Sequence, residues 1–493
     1  MVAADISRAP NVCANCKARK KRCDKSLPRC RYCADRNLAC CYQTSSSSPR
    51  RPIADPVFVS SASSSPSTVW RGASVVPTSI PRLPFDSLAP EIEPGLCVQA
   101  QRLLETTGLY LDEISVRYFR GIHTFVPIVS RRRFQAHLLS FGVNPQADFA
   151  LLLLCMGLLT YSADSPHPAP PGGGRVENRM LYVATKSLMA QAQALCQPST
   201  QLVQAGVLLA VYEYANGNPE TAFITIGSAA RMAYAARLRS VSLLSTAPPR
   251  TDWTAEEEEI NIWWGIRVCE RTFLCELPIV EQPLGSVMPA RDDRLPLESS
   301  VLDHGNPSAA LASSVAIQDL SAPQVGGFGR AAQAAWLLDG VLQGLSLTDA
   351  DRKRTHLADC DRTLQSLLAI VMQQMQQQGG NYGPFCVATA LTIRALFLLH
   401  WHLLDQPTYE SPGSDSPVNS SHSALDTVTQ MVIDICITHE HMSISQIDQL
   451  PPSCLYIIRA SMKHMQSPTP DPRLYASLKQ FEARWGASSA FQT

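Results

Sequence analysis

Six cysteines near the start of the chain are the residues most able to do chemistry. Cys13, Cys16 and Cys23 are spaced C-x2-C-x6-C, and Cys30, Cys33 and Cys40 repeat that spacing seventeen positions later. A C-x2-C turn points two thiolates at one ion, which suits tetrahedral zinc. Two zincs present eight tetrahedral positions, and six thiolates fill them only if two sulfurs are shared. The spacing therefore predicts one binuclear site with two bridging sulfurs. Cys41 adjoins Cys40 and could replace it as the last ligand; the residues alone leave that choice open. A disulfide knot would need an oxidising compartment, and Met1 to Pro10 lacks the apolar core of a secretory signal. A redox C-x-x-C has no use for a third cysteine repeated in register.

The run CANCKARKKRCDKSLPRCRYCADRNLACCY resembles the zinc binuclear cluster of fungal transcription factors, in which two zincs share six cysteines. All six cysteines, the basic run between the second and third, and Pro28 in the central loop carry the resemblance. It implies that Cys13 and Cys30 bridge, and that the ending ligand-x-Tyr selects Cys40 and leaves Cys41 spare.

Charge is concentrated in the same stretch. The chain has 42 basic and 42 acidic residues, yet between Asn11 and Gln43 nine bases face only Asp24 and Asp35, a net +7. A basic module on a mildly acidic body calls for a polyanion at the module alone. Two short helices are expected just after each C-x2-C, at Lys17 to Arg22 and Ala34 to Ala39. On such a helix Lys17, Lys20 and Lys21 share one face. KARKKR could be an import patch, a solvated face or a DNA-reading element; held between zinc-ligating cysteines, it reads as DNA contact. The candidate DNA-binding residues are Lys17, Arg19, Lys20, Lys21 and Arg22. The resemblance implies double-stranded DNA with CGG-like triplets as partner, Lys20 as the principal base contact beside Arg19, and Lys17 and Arg22 on phosphates.

The predicted fold class is mainly α: a small zinc-stabilised N-terminal DNA-binding module, a disordered linker and a large all-α regulatory domain. The expected boundaries are a lead-in at 1–10, the cluster at 11–43, a Ser/Pro-rich linker at 44–95, the helical domain at 96–480 and a tail at 481–493. The linker's prolines exclude a long helix, and it has no sustained heptads. From Leu96 helical periodicity takes over, with Leu103, Leu104, Leu109, Leu111, Ile114, Tyr118 and Phe119 near 3.6-residue spacing. YFRGIHTFVPIVSRRRF, the hairpin Gln201 to Leu238, the tryptophan-bearing stretch Glu256 to Glu276 and the loop Pro289 to Pro296 resemble the fungal transcription-factor middle domain. Arg237 and Arg239 flank Leu238 where that domain commonly has a glycine, and Glu270 stands where it usually has Asp. Further helices are expected at Arg330 to Leu345, Asp349 to Gln378, Phe385 to Leu404, Ala424 to His441 and Leu455 to Met465, with Pro412 to Ser423 an exposed loop. The longest apolar run, Phe149 to Leu159, is too short to span a bilayer.

No enzymatic constellation stands out. Gly172 to Gly174 lacks a following Lys-Ser/Thr, His400 and His402 point to different helix faces, and HExxH is absent. Trp263 and Trp264 read as core. The nine cysteines after residue 42 have no ligand spacing and read as buried small hydrophobes. The expected function is a nuclear, sequence-specific transcription factor, not an enzyme, holding two zinc ions per chain and acting on RNA polymerase II genes. Resemblance implies a pathway-specific regulator of metabolic or secondary-metabolite genes. A DNA-binding repressor or interaction protein without activation function is the alternative. Expected partners are DNA, a second copy through the helical domain and transcriptional coregulators, with no membrane.

Overall fold

The structure is a computed structural model that describes residues 9, 11–36, 38, 40–42, 85–161, 176–240, 252–278, 282–304, 314–377, 383–405, 417–466 and 471–485. The chain divides into two compact units, Met1–Ile80 and Pro81–Thr493. The linker as far as residue 84, the loop Ser162 to Gly174 and the segment 487–493 lie outside the described residues.

In the first unit, α1 spans Ala14–Ala18 and α2 spans Arg31–Ala34. Both begin inside the C-x2-C pair, which corrects the expected helices at 17–22 and 34–39. Cys13 and Cys30 are the N-cap residues, with extended backbone at φ −65°, ψ 149° and φ −69°, ψ 151°. The second cysteine of each pair therefore falls on the first helical turn. Ala9, expected in a disordered lead-in, is buried and donates to the Lys25 carbonyl at 2.8 Å.

The second unit is helical throughout: α3 (Phe85–Thr107), α4 (Leu111–Arg120), a 3-10 turn (Ile122–Thr124), α5 (Arg131–Phe141), α6 (Ala147–Thr160), α7 (Asn178–Leu195), α8 (Thr200–Ala215), α9 (Pro219–Ala235), α10 (Trp253–Leu274) and α11 (Ser299–His304). There follow α12 (Gly327–Leu345), α13 (Ala350–Gln377), a 3-10 turn (Gly383–Phe385), α14 (Cys386–Asp405), α15 (Pro417–Glu440), α16 (Ile444–Ile447), α17 (Cys454–Met465) and α18 (Pro472–Trp485). Among the described residues the only paired β contact of this unit is the bridge Arg294–Ala316.

Four boundaries differ from expectation. Helix α3 starts at Phe85, ahead of Gly95, despite Pro90 and Pro94. Its buried residues Leu96, Cys97, Ala100 and Leu104 recur on one stripe, and packing on α6 and α7 overrides proline's local cost. The periodic run from Leu103 to Phe119 is two helices, parted at Gly108, whose φ of +69° suits glycine. Helix α15 begins at Pro417 inside the expected loop, and Ser421 there is buried against His400 Nδ1 at 3.2 Å. The expected tail from 481 is instead the end of α18, where Phe481 and Trp485 are buried. Pro472 at the first helical position marks that helix's start.

Helices α6 and α8 are buried on nearly every face, and α6 packs on α3, α4, α7 and α8. The apolar span Gly383–Asp405 has the length to cross a membrane, but most of it is buried inside this unit. Within it Arg394 is fully buried, bonded to Glu276 and the Tyr214 hydroxyl at 2.8 Å each, with its guanidinium 3.8 Å from the Tyr456 ring centroid. Helix α9 ends with Arg237 at φ +55°, and Leu238 N–H reaches back to Ala233 O at 3.0 Å. Thus arginine occupies the left-handed position that closes the turn.

Helix α10 carries four consecutive glutamates, Glu256 to Glu259, all buried. Glu256 pairs with Arg239 at 3.2 Å, Glu257 with Arg294, and Glu259 accepts from Arg239 N at 2.8 Å. Glu258 accepts from Ser130 N at 2.7 Å and Gln204 Nε2 at 3.0 Å and pairs with Arg133 at 2.9 Å. Burial outweighs these partners and pushes the Glu258 carboxyl up to about 7.

A raised carboxyl holds its proton more tightly folded than unfolded. Its stabilising contribution is complete below about 4.5 and is lost as pH rises through about 7. In urea titrations of the full chain from pH 5 to 8, Glu258→Gln should flatten the pH dependence of the helical unit's unfolding. A slope identical to that of the parent would refute the titration of Glu258 in that window.

Candidate metal centre and nucleic-acid interface

The N-cap geometry places the sulfurs. Cys13 Sγ accepts the Cys16 backbone N–H at 3.4 Å, an N-cap bond made by sulfur instead of oxygen. A cap residue and the residue three later face the same side of the first turn, so each C-x2-C delivers two sulfurs together. The loop returns Cys23 to the first pair, and Cys40 Sγ accepts the Cys30 N–H at 3.2 Å.

Two groups of four sulfurs result, Cys13, Cys16, Cys23, Cys30 and Cys13, Cys30, Cys33, Cys40, each within 4.8 Å of one another. Cys13 and Cys30 belong to both. Their sulfurs lie 3.7 Å apart, Cys16 to Cys30 is 3.7 Å, and Cys13 to Cys33 is 3.8 Å. A zinc–sulfur bond of about 2.3 Å gives a tetrahedral edge of about 3.8 Å, so the donor set fits two edge-sharing zinc tetrahedra. Cys41 is exposed and belongs to neither group.

Outer contacts hold the donors. Asn15 Nδ2 lies 3.6 Å from Cys33 Sγ, and Tyr42 Oη stands 4.0 Å from Cys23 Sγ while donating to Ser26 O at 2.9 Å. Ala14 N–H donates to Cys41 O at 2.9 Å and ties the segment ends together. Sequence reasoning gave no role to Asn15; nothing in the cysteine spacing points to it. Burial pushes the Cys13 thiol up to about 12 and Cys30 in the same direction. Burial also raises Cys23, but backbone hydrogen bonds from Cys13 and Lys25 outweigh it and bring that thiol to about 7. Zinc must displace these protons, so loading weakens as pH falls.

Lys17, Arg19, Lys20, Lys21 and Arg22 are all exposed, and among the described residues none of their side chains makes an ion pair. They do not share one helical face. Helix α1 ends at Ala18, Lys20 takes φ +51°, Lys20 N–H bonds Lys17 O at 3.3 Å, and Lys21 N–H bonds Cys16 O at 2.9 Å. This is a Schellman stop, and it turns the basic run away from the helix axis. Seventeen residues later Leu38 N–H makes the matching bond to Cys33 O at 2.8 Å.

Among the described residues no histidine belongs to a group that could hold a metal ion. His400 is buried between Ser421 and Asp361, and His439 is buried 2.8 Å from Ser477 Oγ. Trp263 and Trp264 are core residues, and eight of the nine later cysteines are buried.

Metal analysis of the full chain should return two zincs, unchanged by Cys41→Ser. Cys13→Ser or Cys30→Ser should lose both ions, because each sulfur belongs to both tetrads. One zinc per parent chain, or a harmless Cys40→Ser with a damaging Cys41→Ser, would contradict the arrangement.

Residues 11–49 match the fungal Zn(2)-Cys(6) binuclear cluster domain, and residues 116–275 match the fungal specific transcription factor domain. Transcription factor BOA15 of Botryotinia fuckeliana is 31% identical over 150 residues, covering 30% of this chain and 78% of that protein. The azaphilone cluster-specific transcription factor azaR of Aspergillus niger is 24% identical over 335 residues, 64% of this chain and 67% of azaR. The tropolone cluster transcription factor tropK of Talaromyces stipitatus is 22% identical over 300 residues, 52% of this chain and 53% of tropK. No solved structure matches the chain. The cluster domain binds two zinc ions and DNA, which makes the protein a DNA-binding regulator and not an enzyme. With six cysteines grouped as two zincs require and both domains matched in order, the chain belongs to the fungal zinc binuclear cluster transcription factors.

Proposed function

We propose that this protein is a pathway-specific activator or repressor of secondary-metabolite genes transcribed by RNA polymerase II. Relatives named as azaphilone, tropolone and asperfuranone cluster factors support the pathway class. The observation that carries the DNA-binding half is the juxtaposition of two sulfur tetrads with an exposed, unpaired basic run. Cys13 and Cys30 bridge the zincs; Cys16 and Cys23 complete one tetrahedron, Cys33 and Cys40 the other. The chain works as a cluster module at 11–43, a linker, and a helical regulatory body reaching α18. It acts in the nucleus, where the body supplies contacts to a second copy and to coregulators.

The module reads a CGG-like triplet. Lys20, displaced from the helix axis by its left-handed backbone, makes the principal base contact beside Arg19. Lys17 and Arg22 neutralise phosphates, and Lys21 lies between the two roles. The Schellman stop supports this division, because Lys17 remains on α1 while Lys20 leaves it.

These roles predict different losses. Lys20→Ala should cost about 1–3 kcal/mol on the cognate triplet and little on random DNA. Lys17→Ala should weaken all sequences alike and lower the salt slope by about one. Competition binding at several salt concentrations separates the two. Equal losses of specific and nonspecific affinity for Lys20→Ala would make it a backbone clamp and remove it as reader. Sedimentation should find residues 1–80 monomeric and the full chain dimeric; a stable dimer of the fragment would move the contact out of the body.

A further inference from the structure

A cleft of about 680 Å³ lies in the helical unit between α4, the turn after it, α16 and α18. One wall comes from residues 116–122; the other comes from 442–484, outside the segment matched by the family domain. Its size falls in the range of small-molecule sites. Ile122 and Ile447, both buried, give it an apolar floor. Gly121 permits the walls to meet, since a Cβ there would sit 3.1 Å from the Asp448 carbonyl oxygen.

Arg117, Arg120 and Arg484 line this cleft. Two of them have structural duties. Arg117 donates to Thr160 O at 3.2 Å and pairs with Glu113 at 2.7 Å, while Arg484 donates to Leu159 O at 3.0 Å and pairs with Asp448. They cap the last carbonyls of α6, which would otherwise lack partners. Arg120 has no such duty: it is exposed and makes no hydrogen bond or ion pair among the described residues. Three guanidinium groups against the carboxylates of Glu113 and Asp448 leave the rim net positive. On the α18 wall, Gln480 Oε1 is buried and accepts no hydrogen bond among the described residues.

We propose that this cleft binds a small amphipathic carboxylate. The carboxylate takes Arg120, where a planar guanidinium can donate two parallel bonds. The apolar body covers Ile122 and Ile447, and a hydroxyl on it can satisfy Gln480 Oε1. Because the two walls come from distant parts of the sequence, occupancy ties α18 to α4. The ligand then stabilises the closed helical unit by mass action. The site stands whether the protein activates or represses.

Calorimetry on the zinc-loaded full chain tests it with 2-naphthoate and its uncharged analogue 2-naphthamide. One 2-naphthoate should bind per chain, with the amide at least tenfold weaker. Arg120→Glu should weaken the acid at least tenfold and leave the amide unchanged, and Ala483→Trp should abolish both by filling the cleft. Arg120 and Ala483 are exposed, so each variant should melt as the parent does without ligand. No saturable binding of 2-naphthoate, equal affinity for the amide, or indifference of the acid to Arg120→Glu would each overturn the proposal.

Discussion

The sulfurs of Cys13 and Cys30, 3.7 Å apart, carry the first unit. Each residue caps a helix and stands in both tetrads. Around the cysteines the apolar packing consists of Tyr32, Leu38 and Tyr42, all only partly buried. So little apolar area cannot offset the entropy of ordering some thirty residues. Metal binding must therefore supply the folding free energy, and the unit is built as a coordination sphere with a short chain wrapped on it. Everything the unit presents to DNA inherits its position from those sulfurs.

The helical unit solves the opposite problem. It has ample apolar surface and uses charge internally. Arg271, fully buried, is held by Asp339 at 2.9 Å, Glu270 at 2.8 Å and the Ser286 carbonyl at 2.9 Å. The four glutamates of α10 are buried with arginine or backbone partners. Such pairs add little net stability once desolvation is counted, but they penalise any other register of the helices. The formal charge of zero thus conceals two economies. Buried ions of the body are neutralised by one another, whereas Lys17, Arg19, Lys20, Lys21 and Arg22 of the first unit make no ion pair among the described residues and remain available to a polyanion.

What the sequence made legible follows from the range of the forces involved. Ligand spacing is a local constraint, so the cysteines and their grouping could be read directly from the pattern. The buried helices α6, α8 and α10 announced themselves by apolar content and length. The helix starts of the first unit differ from expectation because the pattern gives no reason to begin a helix on a ligand, and at Cys13 the cap bond is made by sulfur, an unusual N-cap. The start of α3 and the whole of α18 were missed for a different reason. Both depend on tertiary burial, of Leu96 and Ala100 in one case and Phe481 and Trp485 in the other, although Pro472 did mark the second. The glutamate run has the composition of a solvated face, and only distant arginines, absent from any local window, explain its burial.

The left-handed residues Lys20 and Arg237 show how one backbone device serves two purposes. Each closes a helix where glycine would be easier, at a cost of roughly 1 kcal/mol. At Arg237 the return bond runs to Ala233 and directs Trp263, whose indole donates to Leu238 O at 3.1 Å, into the core. At Lys20 the return bond runs from Lys21 to the carbonyl of Cys16, a residue whose sulfur stands in the first tetrad. The direction in which the basic run leaves α1 is therefore set by the same residue that faces the metal. No packed core intervenes between them. Coupling between zinc occupancy and the orientation of the bases needs only one side chain and one hydrogen bond, which is why so small a unit can hold its basic face in a fixed direction.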